Sequence, residues 1–280
     1  MSFDKRRHAF RPDLADDALK GSIEAERFVA GMPARIVAPV TSIHRAPAED
    51  SMQISQALFG EDVSVFETAN GWAWVQMKLD GYVGYVNANA ISTSMPPVTH
   101  RISAHSTHRY PKADLKTVPA VALPLNGRLS VAEQNGEYLE LADGGFVFAG
   151  HVKPIEEYEA DFVSVAERFL HTPYLWGGKT AAGIDCSGLV QVALNACGIA
   201  SPRDSDMQEA ELGSTLHIND LDGLKRGDLV FWKGHVGIMQ STTQLLHANG
   251  HHMMTVSEPF QEAVARIAAK GTPVTSLKRL

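Results

Sequence analysis

The chain has 280 residues, 44% of them hydrophobic and 20% charged, and a net charge of −7. That is the composition of a globular protein with core enough for two or three domains. The acidic balance, with no basic run, argues against nucleic acid as a partner. The opening Met-Ser-Phe-Asp-Lys-Arg-Arg-His is not followed by an apolar stretch. Neither a leader peptide nor a membrane span is therefore read, and the expected location is the cytoplasm.

Residues 1–30 read as an N-terminal extension, with a helical segment expected around Leu14–Leu19. From 31 to 95 the pattern is β. Val63 and Val65, Trp72, Trp74 and Val75, then Tyr82-Val-Gly-Tyr85-Val alternate, broken by turn signals at Asn70-Gly71 and Asp80-Gly81. Residues 96–157 carry a second copy about 65 residues on, a spacing that marks a duplicated unit. Asn135-Gly-Glu-Tyr-Leu-Glu answers Asn70-Gly-Trp-Ala-Trp-Val, and Gly144-Gly-Phe-Val-Phe answers Asp80-Gly-Tyr-Val-Gly, aligning Tyr82 with Phe146. Two small β-barrels in tandem are expected, joined by the linker-like Ser94-Met-Pro-Pro-Val-Thr.

Residues 158–280 change character and hold both cysteines. Cys186 sits in Gly183-Ile-Asp-Cys-Ser-Gly-Leu, after Pro173-Tyr-Leu-Trp-Gly-Gly and before an apolar helical run. At a helix N-terminus the unpaired N–H groups and the dipole favour a thiolate, so a lowered thiol pKa is expected. Asp185 and Ser187 flank it and argue against full burial. Cys197 lies on the same predicted helix, roughly 16 Å away and beyond disulfide reach. Two free thiols fit a reducing compartment. Downstream, His235 in Gly234-His-Val-Gly-Ile and His247 in Leu245-Leu-His-Ala stand in strand-like contexts. Each alone reads as a satisfied core histidine. If its strand points His235 at Cys186, that imidazole becomes the general base for the thiol, or the cation of an ion pair with it. A zinc site built from Cys186, His217, His251 and His252 is disfavoured, because the short ligand spacing of zinc motifs is missing. No metal or cofactor is called for.

These motifs carry a resemblance. Asp80-Gly-Tyr-Val-Gly-Tyr-Val is similar to the closing strands of bacterial SH3-like domains. Residues 158–280 resemble the NlpC-type, papain-like cysteine peptidases, on Pro173-Tyr174 with Trp176-Gly-Gly, Asp185-Cys-Ser-Gly-Leu, Pro202-Arg-Asp-Ser, Arg226-Gly-Asp-Leu, His235-Val-Gly-Ile and Leu246-His-Ala. The resemblance implies an α+β chain, a papain-like domain preceded by two SH3-like barrels. It implies Cys186 as nucleophile, His235 as base, His247 as orienter, and Tyr174 at the oxyanion or substrate, with Trp176 packed under its loop. The combination resembles γ-D-glutamyl-L-diamino acid endopeptidases, which cut murein peptides bearing a free N-terminal L-Ala. That implies an amine subsite from Asp204 and Ser205, closed by Tyr82 and an acidic residue such as Glu49, with Asp185 and Ser187 also near substrate. A monomer is expected. A secreted hydrolase of intact wall, a non-enzymatic wall-binding module and an acyltransferase are the competing readings.

Overall fold

The computed structural model describes residues 3–217 and 223–280. The chain falls into two compact units, Met1–Glu157 and Tyr158–Leu280.

In the first unit an antiparallel sheet runs in the order Gln53–Leu58, Val40–His44, Val83–Asn87, Trp72–Met77, Asp62–Ala69, Met32–Ile36, Ile91–Ser92. Alternate residues Val63, Ala73, Val75 and Val86 are buried, which is the period-2 pattern read along the chain. Asn70 (φ 51°) and Gly71 (φ 81°) both take the left-handed conformation that a tight hairpin between Asp62–Ala69 and Trp72–Met77 requires. Gly84 faces the Ile43 side chain so closely that no Cβ fits between them.

Residues 3–30 contain no α-helix. Asp17–Leu19 is one 3₁₀ turn capped by Asp16, and Ala15–Asp16 pairs in parallel with Phe28–Val29. The helix expected at Leu14–Leu19 loses to tertiary burial. Ala9 and Leu14 pack on Phe66, Trp74 and Val83, and Arg11 lies 4.4 Å over the Trp74 ring while bonding Glu67.

The duplication is visible as matched elements. Hairpin Trp72–Met77/Val83–Asn87, 3₁₀ turn Ala88–Ala90 and strand Ile91–Ser92 correspond to Tyr138–Leu141/Phe146–Phe148, Ala149–His151 and Val152–Pro154. Neither copy, however, is the closed barrel that the SH3-like resemblance implied. The first sheet has open edges at Gln53–Leu58 and Ile91–Ser92, and the second copy is divided into small separate sheets. Closure requires every strand to find two partners. Ile91–Ser92 is too short for that. In the second copy a register shift between Val131 and Glu133 leaves Val131–Asn135 mostly exposed. The fold is mixed α+β with open β-sheets in its first unit.

The second unit is built on an antiparallel sheet ordered Ser214–Leu216, Val274–Arg279, Leu229–Trp232, His235–Met239, Gln244–Asn249, Met254–Pro259. Its helices are α1 (Phe162–Glu167), α2 (Cys186–Ala196), α3 (Ser205–Glu211) and α4 (Phe260–Ala268). Phe260 and Ala263 of α4 pack on Val230, Trp232, Met239, Leu245 and Leu277, which share one face of the sheet. The alternate residues Leu229, Phe231, Val236, Ile238 and Leu246 are also fully buried, so both faces are covered. Helix α2 is apolar nearly all round and buried as a central helix.

Candidate active site

Cys186 is the first residue of α2, and Asp185 is its N-cap. The Asp185 carboxylate accepts from the Gly188 amide (2.7 Å) and from the Gly177 amide (2.8 Å), so it pins the Pro173–Gly178 loop to the helix start. Arg203, 1% exposed, donates to both Asp185 oxygens (2.6 and 3.1 Å) and to Ser187 Oγ (2.8 Å). Gln208 of α3 donates to the Ser187 carbonyl (2.9 Å). Gly188 lies against the Gly178 carbonyl with no room for a Cβ. The flanking polar residues thus do not expose the thiol, as their charge had implied. They are buried with it because Arg203 neutralises Asp185 inside the protein.

The two histidines come together. His235 opens its strand opposite Trp232, and His247 lies two residues beyond Leu245, which places both on the face that α4 covers. His235 Nε2 is 2.8 Å from His247 Nδ1. His247 Nε2 is in turn 2.6 Å from Glu258 Oε1, and Arg266 of α4 clamps Glu258 through two contacts of 2.5 and 2.6 Å. Gly237, opposite, leaves the space that Leu245 and the His247 Cβ occupy. The backbone N–H of Val236, next to His235, donates to the Cys186 thiol.

The charges order the protons. Burial opposes ionisation of Glu258, but hydrogen bonds from His247 and Arg266 hold its pKa down at about 2. An ionised carboxylate only accepts, so His247 Nε2 carries a proton and its Nδ1 is bare. His247 Nδ1 then accepts from His235 Nε2–H, leaving His235 Nδ1 as the free base. Burial, with His247 and Arg266 nearby, pushes His235 down to about 3. Burial likewise lowers His247, against the pull of Glu258.

The thiol departs from expectation. Burial pushes Cys186 up to about 12, and the Asp185 charge adds to this, while the Val236 amide, Arg203 and the Ser187 amide work against it. Desolvation outweighs the helix N-terminus that was expected to lower it. The resting pair is therefore a neutral thiol and a neutral imidazole. Tyr174, half-buried, is raised by burial and by the nearby Cys186 and Asp185, so its hydroxyl remains a donor.

The remaining sequence candidates are placed as follows. Trp176 is 59% exposed rather than packed under its loop, because the turn at Gly177 (φ 76°) directs the chain inward only after it. Asp204 is the N-cap of α3 but makes no capping hydrogen bond, and both it and Ser205 are half-buried next to Arg203. Tyr82 and Glu49 belong to the first unit, Tyr82 buried and Glu49 exposed in the loop after Val40–His44. Cys186 and Cys197 are free thiols. Sequence reasoning missed Glu258 and Arg266. The signal was the hairpin: pairing His247 with Val256 and Leu245 with Glu258 sets that carboxylate diagonally beside the imidazole.

Comparison with known proteins identifies the family. Residues 171–269 match the model of the NlpC/P60 family, and residues 43–91 match that of the bacterial dipeptidyl-peptidase Sh3 domain. A γ-D-glutamyl-L-lysine dipeptidyl-peptidase of Bacillus subtilis is 30% identical over 245 residues, covering 76% of this chain and 79% of its own. A dipeptidyl-peptidase 6 of Lysinibacillus sphaericus is 25% identical over 242 residues, covering 78% and 88%. The crystal structure of an NlpC/P60 family protein from Bacillus cereus superimposes with a TM-score of 0.72 at 18% identity, over 88% of this chain and 99% of that one. With the thiol at the head of α2 and paired imidazoles on the neighbouring sheet, the chain belongs to the NlpC/P60 family of cysteine peptidases.

Proposed function

We propose that the chain hydrolyses the bond between γ-D-glutamate and the diamino acid in peptidoglycan-derived peptides that carry a free N-terminal L-Ala. The observation that carries the chemistry is the hydrogen-bonded line from His235 through His247 to Glu258, with the backbone N–H of Val236, next to His235, donating to the Cys186 thiol. The substrate class rests on likeness to dipeptidyl-peptidases, whose name describes release of a dipeptide from an open amino end.

His235 Nδ1 takes the thiol proton as Sγ attacks the γ-glutamyl carbonyl. The Cys186 N–H, unpaired in the first helical turn, and the Tyr174 hydroxyl donate to the oxyanion. The C–N bond breaks, His235 gives its proton to the leaving amine, and a thioester remains. Water then attacks the thioester. His235 accepts the water proton and returns it to sulfur. His247 and Glu258 hold the imidazole in the tautomer this requires and stabilise its charged form. Asp204 and Ser205, carried to the nucleophile loop by Arg203, are assigned to the substrate ammonium. A site that closes on a free amine suits released peptides, and hence a cytoplasmic recycling role.

The test compares L-Ala-γ-D-Glu-diaminopimelate with the same peptide acetylated at its N-terminus, followed by mass spectrometry. Cleavage of the free peptide alone supports the reading. Equal cleavage of both removes the amine subsite and favours a hydrolase of intact wall.

A further inference from the structure

The second repeat of the first unit carries a three-stranded sheet in the order Val131–Asn135, Tyr138–Leu141, Phe146–Phe148. Leu139 and Val147 belong to its core, so alternation turns Tyr138, Glu140, Phe146 and Phe148 to the other face. There Tyr110, Tyr138 and Phe148 form an edge-to-face run with ring centroids 6.1 Å apart at each step, all three half-buried. Glu133 stands directly opposite Glu140 beside that run. Like charges in register destabilise a strand pair. A charge on an edge strand can guard it against stray pairing, but Glu140 lies on the central strand of the three. Neither glutamate has a cationic partner among the described residues.

The complementary feature rises from the same repeat. The loop between Ser106–Arg109 and Val121–Pro124 exposes Leu115 (72%) and Val118 (85%), with Lys112 and Lys116 beside them. Its shape is held: Asp114 Oδ1 accepts from the Lys116 amide (2.9 Å), and the Asp114 carbonyl accepts from the Thr117 hydroxyl (2.7 Å). The loop stands next to the aromatic run. Burial raises the Tyr138 hydroxyl above its usual range, and Tyr110, Asp114 and Glu137 add to this. Yet Lys112 and Lys116 have no carboxylate partner among the described residues. One face thus holds two in-register carboxylates, two unpaired ammonium groups and an exposed apolar tip.

We propose that this face is a self-association surface. The Leu115–Val118 tip of one molecule lies over the Tyr138–Phe148 run of a second, and Lys112 and Lys116 meet Glu133 and Glu140. Tip and run share one face, so a two-fold axis makes both exchanges at once and closes the pair. Each tip moves apolar surface out of water and onto rings, and each glutamate pair gains the cations it lacks. The carboxylates turn away an anionic occupant, whereas the chain's own tip supplies both the charge and the apolar surface that the face is missing. The proposal is independent of the reaction assigned above.

Sedimentation velocity on the full chain over about 1–300 μM tests it, because an interface of this modest size is expected to hold in the micromolar range. The average mass should rise towards twice that of one chain, and salt at about 0.5 M should weaken the rise. Leu115→Asp/Val118→Asp should stay monomeric with an unchanged circular dichroism spectrum. Glu133→Lys/Glu140→Lys should weaken association by about tenfold or more, and adding Lys112→Glu/Lys116→Glu should restore most of it. A wild-type chain that stays monomeric throughout overturns the proposal, whether or not a lysine-rich peptide binds the face. A dimer that neither the tip nor the glutamate substitutions weaken lies elsewhere and overturns it equally. Charge reversal without rescue overturns the assigned pairing.

Discussion

Glu258 Oε1 lies 2.6 Å from His247 Nε2, and this contact fixes the direction of every proton between the carboxylate and the thiol. With Glu258 ionised and accepting, His247 must offer its bare nitrogen to His235, and His235 must present a bare Nδ1. Glu258→Gln removes the charge that enforces this order. We expect kcat to fall about tenfold to a hundredfold with little change in KM, the scale of losses when an orienting partner of a reactive imidazole is removed. Glu258→Asp should recover part of it. A pH–rate profile and the separation of kcat from KM check this, and an unchanged kcat would show that His247 needs no carboxylate.

Replacement of Cys186 by Ala, or of His235 by Ala, should lower turnover by more than about 10³-fold, as for members of other nucleophile–base pairs. The folds should persist, since neither side chain anchors the main apolar cluster around Trp232 and Leu277. Circular dichroism with peptide turnover tests both. Retained activity in Cys186→Ala would sink the nucleophile assignment.

The raised thiol and lowered imidazole make the resting site neutral. Alkylation of Cys186 by iodoacetamide near neutral pH should therefore be slower than that of free cysteine, and should rise only in strongly alkaline solution. Mass-resolved labelling measures this. Fast alkylation near pH 6 would reveal a preformed thiolate.

Stability should decline on acidification. His235 is held at about 3 in the folded chain against an ordinary value of 6.5, so between those values the unfolded chain binds the extra proton. Glu258, at about 2 against 4.5, acts with the same sign lower down: its contribution is full above 4.5 and lost as pH falls through about 2. Thermal midpoints should thus drop from pH 7 towards pH 3, and His235→Ala should flatten the upper part of that fall. A midpoint independent of pH in this window would contradict the burial of His235.

Arg203 and Asp185 form a buried bidentate pair that holds the nucleophile loop. Arg203→Ala strands a carboxylate in the interior and should cost about 3–5 kcal/mol. Arg203→Lys should recover little, because an ammonium cannot reproduce the fork. Chemical denaturation of both variants measures it.

Local spacing was enough to identify the strands of the first unit, the Asn70-Gly71 hairpin, the duplicated pattern and the helix that begins at Cys186, because alternation and turn chemistry act over a few neighbouring residues. Cys186, His235 and His247 were singled out for the same reason: each stands in a short motif. What local spacing could not reveal depends on distant partners. Whether small sheets close depends on edge strands finding each other, and Ile91–Ser92 is too short to do so. The N-terminal segment gave up its helix to reach Trp74, 60 residues away. The thiol pKa was misjudged because a helix start is visible in sequence, whereas the desolvation that overrides it depends on everything packed around Cys186. Glu258 and Arg266 carry no motif at all. They joined the site only when a hairpin register and the packing of α4 brought a carboxylate and a guanidinium to a buried imidazole, which no one-dimensional pattern encodes.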